Sequence, residues 1–389
     1  MSEWKKVKLG ELATKITKGT TPSNIGESFC ESGIPFIRSE LITQNKYISN
    51  ERLLYISNET HQKLKRSQLE TNDILFSMAG IYLGKTAILR DCDVPANTNQ
   101  AVALIRLDPA LCDIEFVYYY LNQESIIRYV NQISGQAAQP NINLQQIGAI
   151  PIEIPSKEDQ HRIATILSRY DSLIENYQKQ IKLLEEAAQR LYKEWFVELR
   201  FPGHENIRMV DGLPEGWERK KVGDLLEKIQ RTKQVPANNY QLTGNIPIID
   251  QSKDYIAGYT DDEECLVKVS VPFIVFGDHT RVLKFIPFSF AKGADGTQLI
   301  MSNDLDKMPQ TLFYNSLVNV DLSNYSYARH FKYLKEELVV VPTKEIASSY
   351  DEVVSRAYQT IHYNRKQIRL LTEARDRLLP RLMGGEMEV

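Results

Sequence analysis

Apolar residues recur in alternating steps of three and four through the middle of the chain: Leu167, Tyr170, Ile174, Tyr177, Ile181, Leu184, Ala188 and Leu191. That spacing predicts a helix carrying the narrow seam of a coiled coil rather than the broader face of a core-packed helix. The rhythm returns near the C-terminus in Val354, Ala357, Ile361, Asn364, Ile368, Leu371, Arg375 and Leu378. Asn364 inside such a seam is the kind of polar residue that fixes register at some cost in stability. Neither stripe can remain in water, so the simplest arrangement packs the two helices on each other. Two unrelated surface helices, each covering its own domain, would leave the shared phase unexplained. At ~1.5 Å per residue, a helix of this size spans about 50 Å and can act as a ruler.

The two stripes are copies. A shift of 187 residues lays Ile147–Phe196 on Leu334–Met383 without a gap, with fifteen of fifty pairs identical, among them Pro155/Pro342, Ile174/Ile361, Leu183/Leu370 and Leu191/Leu378. Unrelated segments would share about three. The regions ahead of the helices correspond too: Trp4 with Trp217, Gly10-Glu-Leu with Gly223-Asp-Leu, and Ile34-Pro-Phe-Ile with Ile246-Pro-Ile-Ile. The offset falls from 213 to about 200 at Phe76/Phe276, so the second unit is 26 residues shorter in its interior. The chain is a tandem duplication.

Within each unit the runs are short, β-rich and punctuated by turn residues. Asp73–Ser77, Lys85–Leu89 and Gln100–Leu107 read as strands in the first unit, and Val271–Phe276 and Val282–Ile286 in the second. Glu115–Asn122, Asn122–Gln132 and Pro309–Leu317 read as helices. An apolar strand, Ile147–Pro155 or Leu338–Pro342, feeds each long helix, and the turn-rich stretch from Phe201-Pro-Gly-His to Gly216-Trp217 breaks the first one. The predicted fold class is α+β: two similar α+β domains alternating with two long helices.

Composition adds bounds. With 42% apolar and 25% charged residues, 389 residues make two or three ordinary globular domains. The lack of an 18-residue apolar run or a signal-peptide pattern predicts a soluble, cytoplasmic protein without a membrane role. Cys30, Cys92, Cys112 and Cys265 are scattered and carry no metal-ligand spacing, which predicts buried thiols and no metal site. Net charge is −3, and no segment is strongly basic, so a DNA ligand would require local positive charge or a partner that shares the phosphate contacts.

Two constellations mimic catalysis. Ala79-Gly-Ile-Tyr-Leu-Gly84-Lys85-Thr86 resembles a relaxed phosphate loop, but a helix must follow such a loop, and Thr86–Pro95 is β-branched and ends in proline. It reads as a hairpin with Lys85 at its mouth. Asp278, His279, Arg281 and Asp295 suggest acid–base chemistry, yet the first unit offers only Ser77-Met-Ala-Gly at that place. Divergent recognition loops on a shared scaffold fit better. The polar tips, around Arg38, Asn97–Gln100, Gly135–Asn141, Asp278–Arg281, Lys292–Gln298 and Tyr325–His330, hold residue types that bond to base edges in the major groove.

Taken together, the Trp…Lys-Leu-Gly-Glu opening, Gly33-Ile-Pro-Phe-Ile-Arg, Asp73-Ile-Leu-Phe-Ser-Met-Ala-Gly, Asn97-Thr-Asn-Gln100, Phe201-Pro-Gly-His, Leu213-Pro-Glu-Gly-Trp217, Phe276-Gly-Asp-His-Thr-Arg and Ala294-Asp-Gly-Thr resemble the specificity subunit of a Type I restriction-modification system. The resemblance covers the whole chain and rests on motif order more than on any single motif. It implies target-recognition domains at 1–155 and 217–342, spacer helices at 156–200 and 343–389 packed as an antiparallel coiled coil, and a linker at 201–216. Each domain would read one half of a bipartite, asymmetric site in double-stranded DNA, while the helices set the spacing and dock two methyltransferase subunits. The chain itself would be non-catalytic and bind no cofactor. S-adenosylmethionine, ATP and Mg would serve the methyltransferase subunits and any restriction subunits. Loop position and residue type nominate Arg38, Ser39, Ser77, Lys85, Asn97, Asn99, Gln136, Gln139 and Asn141 as DNA contacts in the first unit. Asp278, His279, Thr280, Arg281, Lys284, Asp295 and Arg329 are the candidates in the second. A stand-alone nuclease or NTPase, and an assembly scaffold that reads nothing, are the competing classes.

Overall fold

Ser156 starts the first long helix. Its hydroxyl accepts the Asp159 main-chain N–H at 3.2 Å and donates to the Asp159 carboxylate at 2.8 Å, satisfying an end donor that the helix cannot. In the computed structural model, which describes residues 4–43, 45–49, 52–135, 140–230, 232–293, 295–325 and 329–387, this helix runs over Lys157–Tyr192 and closes in a π turn, Lys193–Val197. The second long helix spans Lys344–Met383 with Pro380 in its last turn.

The chain divides into two compact units, Met1–Asn176 with Gln367–Val389, and Tyr177–Lys366. The division falls inside both long helices rather than at the expected domain ends, because each globular domain packs on a half of each helix. In the first unit Ile163, Ala164 and Leu167 share a core with Leu382 and Met383, and Arg375 bonds to Asp171. In the second, Ala188 and Phe196 share a core with Tyr350 and Val354, while Asn364 bonds to Gln180 and Arg365 to Glu185. Within each unit the helix segments are therefore antiparallel. None of the seam residues from Leu167 to Leu191 or from Val354 to Leu378 is exposed. The apolar face is wider than a strict heptad seam, since Ile163, Trp195, Tyr350 and Tyr358 also turn inward to meet the domains.

The first unit ties its opening strand, Lys5–Lys8, antiparallel to Pro151–Ile154, and the second does the same with Glu218–Lys221 and Leu338–Val341. Each has a main sheet. In the first the order is Ala13–Lys18, Val102–Leu107, Ile74–Ser77, Thr86–Ile88; in the second it is Leu283–Ile286, Phe273–Gly277, Thr297–Ile300. The central strands are apolar without alternation because both faces are covered. Ile74 and Phe76 enter one core and Leu75 another, as Ile274 and Phe276 separate from Phe273 and Val275. A second sheet repeats a parallel pairing, Ile37 beside Thr98 and Ile249 beside Lys292. The tryptophans also match: Trp4 lies where a Cβ on Gly385 would stand 3.1 Å from its indole nitrogen, and the Trp217 ring packs tilted against Phe196 with centroids 5.6 Å apart.

One expectation changes here. Cys112 and Cys265 are buried thiols, but Cys30 and Cys92 are exposed, because the segments that carry them run over the surface. Among the described residues no group of three or more His, Cys, Asp or Glu side chains could hold a metal, and no helix is long and apolar enough to cross a membrane.

Candidate nucleic-acid interface

The hairpin Ile74–Ser77/Thr86–Ile88 and its counterpart Phe273–Gly277/Leu283–Ile286 end in tips built on one main-chain frame. In the first unit Met78 donates its N–H to the Ala101 carbonyl at 2.8 Å, and its own carbonyl accepts the Ile142 N–H at 3.0 Å. In the second, Asp278 donates to Gly296 at 2.7 Å and accepts from His330 at 2.9 Å. Three loops thus converge at the same place in each unit, although the side chains they carry differ. The phosphate-loop lookalike is a short 3-10 turn, Gly80–Tyr82, followed by a strand, as its β-branched residues predict.

Around the first tip, Ala79 bridges to the exposed Asn141, and Lys18, Gln100, Asn143 and Gln145 line an adjoining shallow cleft. Asn99 is half-buried and its side chain accepts the Ala101 N–H at 3.1 Å. The Lys85 ammonium lies 5.1 Å from the centre of the Tyr82 ring. Arg38 and Ser39 follow the Ile34–Ile37 strand, where Arg38 pairs with Glu40 at 2.6 Å while its Nε is buried without a partner. Gln136 and Gln139 lie outside the described residues.

The second tip gathers more of its candidates. His279, Thr280, Arg281, Asp295 and Arg329 are exposed. Arg281 holds a left-handed backbone, φ 61°, and its guanidinium donates to the Tyr325 carbonyl at 3.1 Å. A bulky side chain in that conformation costs stability, so its surroundings must hold it there. The Tyr325 carbonyl also faces Nε2 of the buried His330 at 2.9 Å, and the Tyr325 ring stacks on Tyr333 at 4.0 Å. Exposed arginine, histidine and amide groups on rigid turns can donate to guanine or accept and donate at adenine.

Residues 1–186 match the family described as Type I restriction modification DNA specificity domain. Over 100% of this chain and 94% of the relative, the sequence is 28% identical to the Type I restriction enzyme MjaIX specificity subunit of Methanocaldococcus jannaschii. A putative MjaX specificity subunit of the same organism is 24% identical over the same shares. Over its whole length the chain is thus similar to Type I specificity subunits. The crystal structure of a Type I restriction-modification S subunit from M. genitalium covers 98% of this chain and 96% of its own at a TM-score of 0.57, with 17% identity, so the fold is shared although most side chains are not.

Four nominated side chains sit in the interior and not at the surface. Asn97 is fully buried; it accepts the Ser67 hydroxyl at 2.6 Å, donates to the Leu64 carbonyl and lies 3.3 Å from His61 Nδ1. Ser77 is fully buried, and its hydroxyl has no partner. The buried Asp278 carboxylate accepts the Phe331 main-chain N–H at 2.8 Å. Lys284 is buried and donates to the Asp254 carbonyl, 3.8 Å from the Asp250 carboxylate. Burial pushes its ammonium below the usual lysine range, against the pull of Asp250 and Asp254. These polar groups are internal because remote segments supply their partners. Among the described residues no bond joins His279 to Asp278 or Asp295, so the acid–base constellation does not assemble.

Residues that the sequence left unmarked include Lys18 and Gln145 at the first tip, and Gln251 at the second. Buried polar atoms without partners point the same way. Of the four found among the described residues, Ser77 Oγ belongs to a tip strand, and Arg38 Nε and Ser252 Oγ follow the equivalent strands Ile34–Ile37 and Ile246–Ile249.

Proposed function

We propose that the protein is the sequence-specific DNA-recognition subunit of a Type I restriction-modification complex, each unit reading one half of a bipartite, asymmetric site. The observation that carries this reading is the pair of tips: the same main-chain bonds at Met78 and Asp278 present different side chains, as two readers of different half-sites require. A duplicated catalytic site would keep its reactive groups in both copies. The near-neutral charge fits a subunit whose partners close on the DNA and share the phosphate contacts.

Those partners are two methyltransferase subunits, joined in cleaving complexes by restriction subunits, all in the cytoplasm. Leu183 and Leu370 occupy the same repeat position and are 63% and 43% exposed, which suits two equivalent docking patches. Chemistry belongs to the partners, which would flip out an adenine and methylate its N6 from S-adenosylmethionine, or use ATP and Mg for cleavage.

The test is single-molecule sequencing for N6-methyladenine in a methylation-free host that expresses this chain, its methyltransferase partner, or both. A split motif with a fixed gap, present only with both, is the expected result. A stable complex that deposits no sequence-specific methylation would favour the scaffold reading.

A further inference from the structure

Gln251 lies two residues beyond the Ile246–Ile249 strand and touches both loops of the second tip. Its side-chain carbonyl accepts the His279 N–H at 3.1 Å, and its side-chain amide donates to the Asp295 carbonyl at 2.9 Å. Its own main-chain carbonyl accepts the Thr280 hydroxyl at 2.6 Å. One residue therefore links the 278–281 turn to the segment that carries Asp295. Two glycines make room for it: a Cβ on Gly277 would stand 2.9 Å from the Gln251 Cβ, and one on Gly296, at φ +86°, would stand 2.6 Å from its Nε2. Larger residues at either place would expel the amide from between the loops.

We propose that Gln251 is a positioning residue for DNA specificity in the second unit, resting on the recognition function proposed above. It touches no base. It holds the turn and the Asp295 loop in one register, so that His279, Arg281 and Asp295 meet the base edges together. Paired hydrogen bonds discriminate bases only when donor and acceptor arrive at fixed positions, and a displacement of a few tenths of an ångström weakens them. The first unit has Ser39 at the corresponding place, a side chain with no amide to make the same two bonds. The effect is therefore confined to one half-site.

The experiment compares wild type, Gln251→Met and Gln251→Glu in the full complex with the methyltransferase partner. Methylation is measured on targets that carry single base changes in either half, together with affinity for non-specific duplex and the melting temperature. Methionine fills the volume and makes neither bond; glutamate keeps the acceptor for His279 and loses the donor to Asp295. The expected result for Gln251→Met is a roughly ten- to hundred-fold loss of discrimination in one half of the motif. The other half, the non-specific affinity and the melting temperature stay as in wild type, and Gln251→Glu recovers part of the loss. Unchanged discrimination in Gln251→Met, or equal loss in both halves with a lowered melting temperature, would overturn the proposal while leaving the recognition function standing. A wild-type complex without sequence-specific methylation would instead remove the function on which the proposal rests.

Discussion

Arg375 on the second long helix donates to the Asp171 carboxylate on the first at 2.6 Å, and Asp171 also accepts the Tyr119 hydroxyl from the recognition domain. Asp171 is buried at the base of a surface cleft, so this carboxylate joins three elements where it has little access to water. Arg375→Ala should destabilise the first unit by about 3–5 kcal/mol, since it strands a buried charge. The double variant Asp171→Asn with Arg375→Met keeps an acceptor for Tyr119 and removes both charges, so it should recover at least half of that loss. Urea denaturation of these two variants and wild type gives the comparison. A single variant within 1 kcal/mol of wild type would show that the pair is not structural.

Asn364 is the one polar residue of its seam stretch that is almost fully buried, and its amide donates to Gln180 at 3.1 Å. Asn364→Leu should raise stability by about 1 kcal/mol and loosen the helix register. The check is chemical denaturation together with cross-linking of cysteines placed across the helix pair. Higher stability with one unchanged cross-linking pattern would mean that the domains fix the register and Asn364 does not.

Burial holds the His61 imidazole below the usual histidine range, and the neutral ring sets its Nδ1 against the Asn97 amide. As pH falls through about 6.5 the unfolded chain takes up a proton first, which favours unfolding. Stability of the first unit should therefore decline from pH 7 downward and level off below the depressed folded-state value. His61→Gln should flatten this slope, read as melting temperature between pH 8 and 5. An identical slope in the variant would assign the acid sensitivity to other groups.

Arg281 tests recognition directly. Arg281→Ala should lose about 1–3 kcal/mol of base preference in one half-site while co-purification with the methyltransferase is unaffected. Arg281→Gly should lose the same preference and be at least as stable as the alanine variant, because glycine accepts φ 61° without strain. Loss of assembly in both variants would make Arg281 a structural residue.

The sequence shows the repeat, the seams, the main strands and the hairpin at Lys85, because periodicity and turn residues act over short distances. It does not show which polar tip residues face inward. Asn97 and Asn99 look alike in the chain, yet His61, 36 residues away, helps to bury the first. Asp278 is taken inward by Phe331, 53 residues on, and Gln251 acquires its role from partners 28 and 44 residues distant. Such pairings depend on how the loops meet, and no local pattern encodes them. Arg375 was visible only as an interruption of a seam; its carboxylate partner came from the opposite helix.

The wiring of the second tip bears on how such a protein changes over generations. Gln251, Asp278, His330 and the glycines around them hold one another through bonds that a single replacement breaks. The first tip has Met78 at the place of Asp278, a side chain that joins the apolar core and forms no cap. Point mutations should therefore drift more freely through the first tip, whereas the second should be inherited as a block and change by exchange of the whole segment.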